Sequence, residues 1–300
     1  MGEIIKADLQ QVANLVKQVL GKDEYKSIER MGGLTNHTYH ITLNDGSQYV
    51  VRIPGEGTEE LIDRCDEQKS TKLACDLGVD AKLLHFGTDG SKVTQYIPDA
   101  ITMSSETLKE EKHIKQVAEI FKKMHSCGVD TGVPFEVFDM AAGYEKIISD
   151  MNVPMFCDYS QIKEEVMKIK EQIDKECSPK KVPCHNDPLC ENWVEGKGKM
   201  YLIDWEYAGM NDGMWDIADV SIEAGFEEEH DLLLLENYLD RKPELLDKKH
   251  FLAAKIYVDY LWTLWAKARV PYDGQPMEDW AVERYGRMKA NIIDFQKIGG

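Results

Sequence analysis

Two nearby segments, "CHNDPLCENW" at 184–193 and "YLIDWEYAG" at 201–209, carry polar side chains between apolar residues. Asp187 is followed five residues later by Asn192, and Asp204 comes twelve residues after that. Phosphoryl transfer uses this pattern, because it needs a carboxylate near the acceptor hydroxyl and two further oxygen ligands that hold Mg²⁺ against nucleotide phosphates. The alternative is three ordinary turn or cap residues. The joint spacing favours phosphoryl transfer.

The elements around these residues place them where strands end. Two apolar, strand-like pieces, "KVPCH" and "KMYLIDW", lie between helical patterns at 160–176 and 216–240. Catalytic groups are commonly found in loops on such a rigid scaffold.

The rest of the chain divides by composition into a β-rich and a helical part. Three short runs between residues 25 and 54, "YKSIERM", "HTYHITL" and "QYVVRIP", predict an antiparallel meander, and "NDGS" joins the last two. We expect a helix over 58–77 and two more strands, "AKLLHFG" and "KVTQYI". Helical patterns then follow at about 104–126, 141–151, 160–176, 216–240, 244–270 and 277–296. The prediction is an α+β protein with a small antiparallel β lobe that carries one helix, residues 1–97, and a larger, mainly helical lobe, residues 98–300.

Composition excludes several classes of function. The chain has 54 acidic and 36 basic residues and a formal charge of −18, which argues against binding nucleic acid and favours a small cationic ligand. Seven cysteines without a C-x-x-C pair suggest neither a disulfide framework nor a zinc site, and they fit a cytoplasmic location. The sequence contains no run of eighteen consecutive apolar residues, so we expect no membrane insertion. The oligomeric state stays open.

The two segments resemble the choline/ethanolamine kinases, within the wider aminoglycoside-phosphotransferase and protein-kinase-like group. "HNDPLCENW" and "LIDWEYAGMNDGMWDIAD" match the catalytic and metal-binding blocks of that family. The resemblance implies a protein-kinase-like two-lobe fold with ATP as co-substrate. Asp187 would be the catalytic carboxylate, Asn192 and Asp204 would hold Mg²⁺, and Asp216 would be a buried support of the catalytic loop. His185 would orient that loop, although a histidine beside a strand end is as often a structural residue.

The nucleotide side of the resemblance begins at "GGLTN", residues 32–36. Glycines let backbone N–H groups approach phosphates, and Thr35 and Asn36 could add side-chain donors. A plain hairpin would explain the glycines equally well, but the loop resembles that of the family letter for letter, so Gly33, Leu34, Thr35 and Asn36 are predicted nucleotide ligands. Arg52 stands where protein kinases use a lysine to neutralise phosphates.

Two further features complete this side. Glu67, in the predicted helix, could pair with Arg52 as the kinase helix glutamate does, or it could be a solvated surface residue. Gln95, Tyr96 and Ile97 lie at the predicted lobe hinge, where an adenine edge would meet backbone groups.

The acceptor side rests on "LWTLW" near the C-terminus. Trp262 and Trp265 are three residues apart and share a helix face, and tryptophan is the best aromatic partner for a cation. Such a pair could also be plain core, but it resembles the W-x-x-W of the family's choline pocket. By the same resemblance Glu223 would neutralise a trimethylammonium group, and Trp280 and Tyr285 would complete the cage.

These observations predict an enzyme that phosphorylates the hydroxyl group of choline with ATP and Mg²⁺. Ethanolamine is the nearest alternative acceptor, and its primary ammonium would want hydrogen-bond acceptors. An aminoglycoside kinase would need a wide acidic cleft. A catalytically inactive nucleotide-binding protein is the alternative from a different class.

Overall fold

A computed structural model describes residues 5–31, 36–55 and 63–299. The strands in this part of the chain are β1 (Ser27–Arg30), β2 (Asn36–Thr42), β3 (Gln48–Pro54), β4 (Leu83–Phe86), β5 (Lys92–Gln95), β6 (Ile101–Thr102), β7 (Lys181–Cys184), β8 (Trp193–Gly196), β9 (Lys199–Leu202) and β10 (Gly209–Asp212). The helices are α1 (Lys6–Leu20), α2 (Arg64–Asp76), α3 (Ser105–Leu108), α4 (Glu111–His125), α5 (Val137–Asp150), α6 (Tyr159–Cys177), α7 (Gly213–Glu223), α8 (Glu228–Leu239), α9 (Leu245–Asp273) and α10 (Gln275–Gly299).

The chain forms two compact units. The first contains residues 1–103 and 191–208, and the second contains residues 104–190 and 209–300. The first segment of this unit ends at residue 103, whereas the sequence predicts a lobe boundary between residues 97 and 98. The structural boundary comes six residues later because β6 pairs with β8, which also belongs to the first unit. This unit also takes in a segment that the sequence prediction placed in the helical lobe.

The first unit is built on an antiparallel sheet of order β1-β2-β3-β5-β4. Alternation along β2 turns Tyr39 and Ile41 into the core, where each is fully buried. Helix α1 covers them with Val12 and Val16, which are four residues apart and so lie on one helix face. Burial of each such side chain stabilises the fold by roughly 1.5–3 kcal/mol.

The second unit is mainly helical and holds one short antiparallel pair, β7 with β10. Helix α9 is its central element, because it packs against α5, α6, α7 and α10. The loop that follows β7 carries "HND", and α7 begins directly after β10. The β7–β10 pair therefore brings the predicted catalytic loop next to the start of α7.

The observed elements differ from the predicted ones in three places. Helix α1 was not predicted. The expected helix over 104–126 is two helices, α3 and α4, and the expected helix over 216–240 is α7 and α8, separated at Gly225, whose φ is +62°. The first five residues of the helix predicted over 58–77 lie outside the described residues, and α2 begins at Arg64.

Candidate functional site

The loop that carries Asp187 is held by one carboxylate on α7. Asp216 is completely buried, and its two oxygens accept the backbone N–H groups of His185 and Asn186, each at 2.8 Å. His125 on α4 lies 3.1 Å from the same carboxylate. Asp216 therefore anchors the loop that carries Asp187, and His125 is an additional contact that sequence reasoning missed.

Asn186 fixes the turn that presents Asp187. Its φ is +68°, a left-handed conformation that asparagine tolerates better than most residues. The side chain of Asn211 donates to its Oδ1 at 3.0 Å, and the indole of Trp215 donates to its carbonyl at 3.1 Å. The N–H of Asp187 in turn donates to Nδ1 of His185 at 3.3 Å. The backbone before Asp187 is thus held on both sides, and Asp187 itself is half-buried.

In the first unit, the two predicted metal ligands are brought close by the backbone. Ile203 donates its N–H to the carbonyl of Asn192 at 2.9 Å, which ties Asn192 to the residue before Asp204. Asp204 has a φ of +71°, in the left-handed region that aspartate enters more readily than most residues. Amide and carboxylate oxygens are hard donors that suit Mg²⁺, so the residues present fit this ion.

Asp80 supports the same turn from below. Its Oδ2 accepts the indole N–H of Trp205 at 3.1 Å, and its Oδ1 accepts the N–H of Ala81 at 2.5 Å. Burial raises the pKa of Asp80 to about 6, although the nearby charge of Lys92 acts in the opposite direction. The acid anchors the residue that follows Asp204, and the sequence offered no signal for this role.

Arg52 and Glu67 form the ion pair that the sequence predicted. Nη1 of Arg52 on β3 lies 2.6 Å from Oε1 of Glu67 on α2, and both side chains are buried. Arg52 also donates from Nε and Nη2 to the carbonyl of Gly90, at 3.2 and 2.8 Å. The guanidinium is therefore anchored from two directions.

Two residues that sequence reasoning missed extend this pair into a network. Glu206 accepts a hydrogen bond from Nδ2 of Asn36 at 2.8 Å and another from Nη1 of Arg64 at 2.7 Å. The same nitrogen of Arg64 donates to Glu67 at 2.7 Å. Glu206 comes two residues after Asp204, so an acid just past the second strand-like piece was the available signal.

A cavity of about 220 Å³ opens beside this network within the first unit. Its walls include the predicted residues Asn36, Arg52, Gln95, Tyr96, Ile97 and Asp204. The ring of Tyr96 stacks on His40 with centroids 4.0 Å apart. The predicted phosphate-loop residues Gly33, Leu34 and Thr35 lie outside the described residues.

The predicted tryptophans lie together in the second unit. Trp262 and Trp265 on α9 meet edge to face with centroids 6.2 Å apart, and Trp265 meets Trp280 on α10 at 5.9 Å. Successive rings are nearly perpendicular, at 87° and 81°. Trp262 is buried, whereas Trp265 and Trp280 are half-buried.

Glu223 reaches these rings through an arginine. Its carboxylate pairs with Arg284, whose guanidinium lies over the ring of Trp280 at 4.1 Å from the centroid. Arg284 also contacts Asp259 at 3.2 Å and is 2 % exposed. A buried positive charge therefore lies between the acid and the indole that sequence reasoning assigned to a cationic substrate.

Tyr285 lies in a different set of contacts. It stacks on Phe156 with centroids 3.9 Å apart, and its hydroxyl donates to Asp158 at 2.8 Å. Its predicted place in the cage stays a prediction.

The described residues include no helix that is long and apolar enough to cross a membrane.

Comparison with known proteins decides the family. The family model described as "Choline/ethanolamine kinase" matches residues 28–263. The chain belongs to the choline/ethanolamine kinase family. The predicted recognition and the predicted kinase-like fold are confirmed, and the chain is a kinase.

Relatives and solved structures agree with this assignment over most of the chain. "Protein LicA" of Haemophilus influenzae (strain ATCC 51907 / DSM 11121 / KW20 / Rd) is 29% identical over 260 residues, which cover 84% of this chain and 96% of that protein. A choline/ethanolamine kinase family protein from Mesorhizobium loti has a TM-score of 0.85 and 30% identity, covering 96% of this chain and 97% of that one. Choline kinase LicA from Streptococcus pneumoniae has a TM-score of 0.79 and 30% identity, covering 95% and 98%.

Proposed function

We propose that this kinase transfers the terminal phosphoryl group of ATP to the hydroxyl group of choline, with Mg²⁺ as cofactor. The observation that carries the proposal is the row of tryptophans Trp262, Trp265 and Trp280 with an acid, Glu223, linked to it through Arg284. Indole faces attract cations, as the guanidinium of Arg284 over the ring of Trp280 illustrates, and an ammonium group is recognised by the same chemistry.

The first unit supplies groups suited to the nucleotide. Arg52, fixed by Glu67 and the Gly90 carbonyl, offers a positive charge in the cavity wall for phosphate oxygens. Asn192 and Asp204 would hold Mg²⁺, which when bound neutralises charge on the phosphates. Gln95 and Ile97 also line this cavity, and their backbone groups could meet a base.

The second unit supplies the group that acts on the acceptor. Asp187 would accept the proton of the choline hydroxyl late in the transfer, and the hydrogen bond from its N–H to His185 keeps it in position. No covalent intermediate on the protein is needed. Most of the rate acceleration is expected from positioning and from charge neutralisation.

The near-perpendicular rings favour choline over ethanolamine. A trimethylammonium group has no N–H to donate, so it gains from aromatic faces in several orientations, whereas a primary ammonium needs hydrogen-bond acceptors. The proposal is tested by ADP release with choline, ethanolamine, homoserine and an aminoglycoside as acceptors.

We expect the catalytic efficiency, kcat/KM, for choline to exceed that for the others by tenfold or more. A lead for ethanolamine would replace choline by the alternative acceptor. ADP release with none of them, from protein that still binds ATP, would favour the inactive nucleotide-binding protein.

A further inference from the structure

Helix α7 presents three acids on one face, and their surroundings differ. Asp216, Asp219 and Glu223 are spaced by three and four residues, which places them one above another. Asp216 accepts the loop amides and Glu223 pairs with Arg284. The acid between them has no comparable contact.

Asp219 is 1 % exposed, and neither of its carboxyl oxygens accepts a hydrogen bond from any residue in the described part of the chain. Burying a carboxyl group without a hydrogen-bonding partner is unfavourable, and most buried polar groups in folded proteins have one. A role in binding would explain why such a group is present.

The charges that act on Asp219 are mostly negative. Glu223 and Asp216 lie on its own helix, Asp187 belongs to the catalytic loop, and Arg284 on α10 is the positive group among them. Arg284 is already shared with Glu223 and with Asp259 on α9. The face therefore has an excess of acids over the cations that could balance them.

We propose that Asp219 is a further recognition residue for the acceptor, and that its carboxylate is a counter-charge for the substrate's ammonium group. The proposal rests on the proposed function, because it takes the acceptor to be an amino alcohol with a positive charge. It adds a second acid to Glu223, which in this structure is already paired with Arg284.

The protonation state of Asp219 then changes with binding. Burial, together with the charges of Glu223, Asp187 and Asp216, raises the pKa of Asp219 well above its ordinary range, while Arg284 acts in the opposite direction. The raised pKa favours the protonated carboxyl group in the free protein. An ammonium group nearby favours the ionised form, so the acid loses its proton to the buffer when the cation binds.

This linkage has a definite sign. Binding of the cation releases a proton, so the affinity for choline rises with pH until Asp219 is already ionised in the free protein. If Asp219 is only a buried neutral group, choline binding moves no proton at this position. Asn is nearly isosteric with the protonated acid, so Asp219→Asn separates the two cases.

The test is calorimetric titration of choline into the folded protein at neutral pH, in two buffers with different ionisation enthalpies. We expect the wild type to release a fraction of a proton for each choline bound. Asp219→Asn should lose that release and bind choline at least tenfold more weakly. The matched control is Asp240→Asn, which removes one charge from an exposed residue whose φ of +56° asparagine also tolerates. It should behave as the wild type does.

A second measurement covers the stability of the variant. The melting temperature of Asp219→Asn without choline should equal or exceed that of the wild type, because no buried acid remains, and the increase that choline causes in the wild type should be lost. Equal affinity and equal proton release in wild type and Asp219→Asn would overturn the proposal. If the wild type releases ADP with choline, but Asp219→Asn equals it in choline affinity and in proton release, the proposed role of Asp219 is wrong and the proposed function stands. If the wild type releases ADP with no amino alcohol, the proposed function fails first.

Discussion

Replacing Glu67 by Gln removes one negative charge from the centre of the buried network in the first unit. Both oxygens of Glu67 face a guanidinium, Arg52 at 2.6 Å and Arg64 at 2.7 Å. After the change, two buried arginines share the single carboxylate of Glu206, which lies 2.7 Å from Arg64 but 3.4 Å from Arg52. Removing one partner of a buried ion pair costs about 3–5 kcal/mol of folding stability. Because the amide of glutamine has nearly the same shape as the carboxylate, we expect a loss of about 3 kcal/mol, at the lower end of this range.

Thermal unfolding measures this loss. At roughly 2 °C for each kcal/mol in a protein of this size, the melting temperature should fall by about 6 °C. Burial acts to raise the pKa of Glu67, but the hydrogen bond and charge of Arg52 outweigh it, and the pKa is lowered from 4.5. A lowered pKa stabilises the fold above pH 4.5 and loses that contribution as the pH falls through the folded-state pKa. The difference between wild type and Glu67→Gln should therefore shrink as the pH falls below 4.5.

Asp66→Asn is the matched control, because it removes the same charge from the neighbouring position on α2. Asp66 pairs with Lys69 at 2.7 Å, but the two side chains are 29% and 53% exposed. Such a pair contributes about 0–1 kcal/mol. Equal shifts in the two variants, or a Glu67→Gln effect that does not depend on pH, would refute the argument from the buried pair.

Four further predictions concern catalysis and binding. Asp187→Asn should lower kcat on the order of 10²–10⁴ and leave ATP affinity nearly intact, and a variant with more than about a tenth of the wild-type rate would speak against the assignment. Asp204→Ala should abolish Mg²⁺-dependent ATP binding in a direct titration, and unchanged affinity would contradict a ligand role. Trp265→Leu should raise the choline KM about 30-fold, for a cation contact of about 2 kcal/mol, with little change in melting temperature; a large melting shift with unchanged KM would mean plain core. Gly196→Ala should raise the ATP KM in steady-state assays, because the added Cβ would meet Ile97 at 2.3 Å; an unchanged KM would mean that the hinge adjusts.

Much of the fold followed from periodicity and turn chemistry. The meander of β1, β2 and β3 has the alternation and the "NDGS" turn of an antiparallel sheet, and the structure pairs these strands in that way. Helix α1 was missed although Val12, Leu15 and Val16 have helical spacing. The break between α7 and α8 carried a signal too, because Gly225 takes the left-handed conformation that glycine adopts easily.

The site could be predicted where the type of a residue implies its chemistry. It was harder to predict where the role of a side chain depends on a contact with a residue far away in the sequence. The pair of Arg52 and Glu67 could be expected from the sequence because it resembles the strand and helix ion pair of protein kinases, and the structure places the two side chains 2.6 Å apart. Nothing in the sequence shows that Glu223 meets Arg284, 61 residues away, or that Asp219 meets no donor in the described part of the chain. Such long-range partners depend on how α7, α9 and α10 pack.

The first unit is assembled from two distant stretches of chain, and this affects how the protein can be made. During synthesis, residues 1–103 emerge from the ribosome before residues 191–208, which complete the same unit, have been made. Until then β6 lacks its partner β8, Asp80 lacks Trp205, and Arg64 lacks Glu206. Contacts of such high sequence separation form late and slowly. A truncated gene that ends at residue 103 would therefore produce a chain with an unpaired strand edge and with two arginines, Arg52 and Arg64, that share only Glu67. Such a chain is expected to aggregate or to need a chaperone.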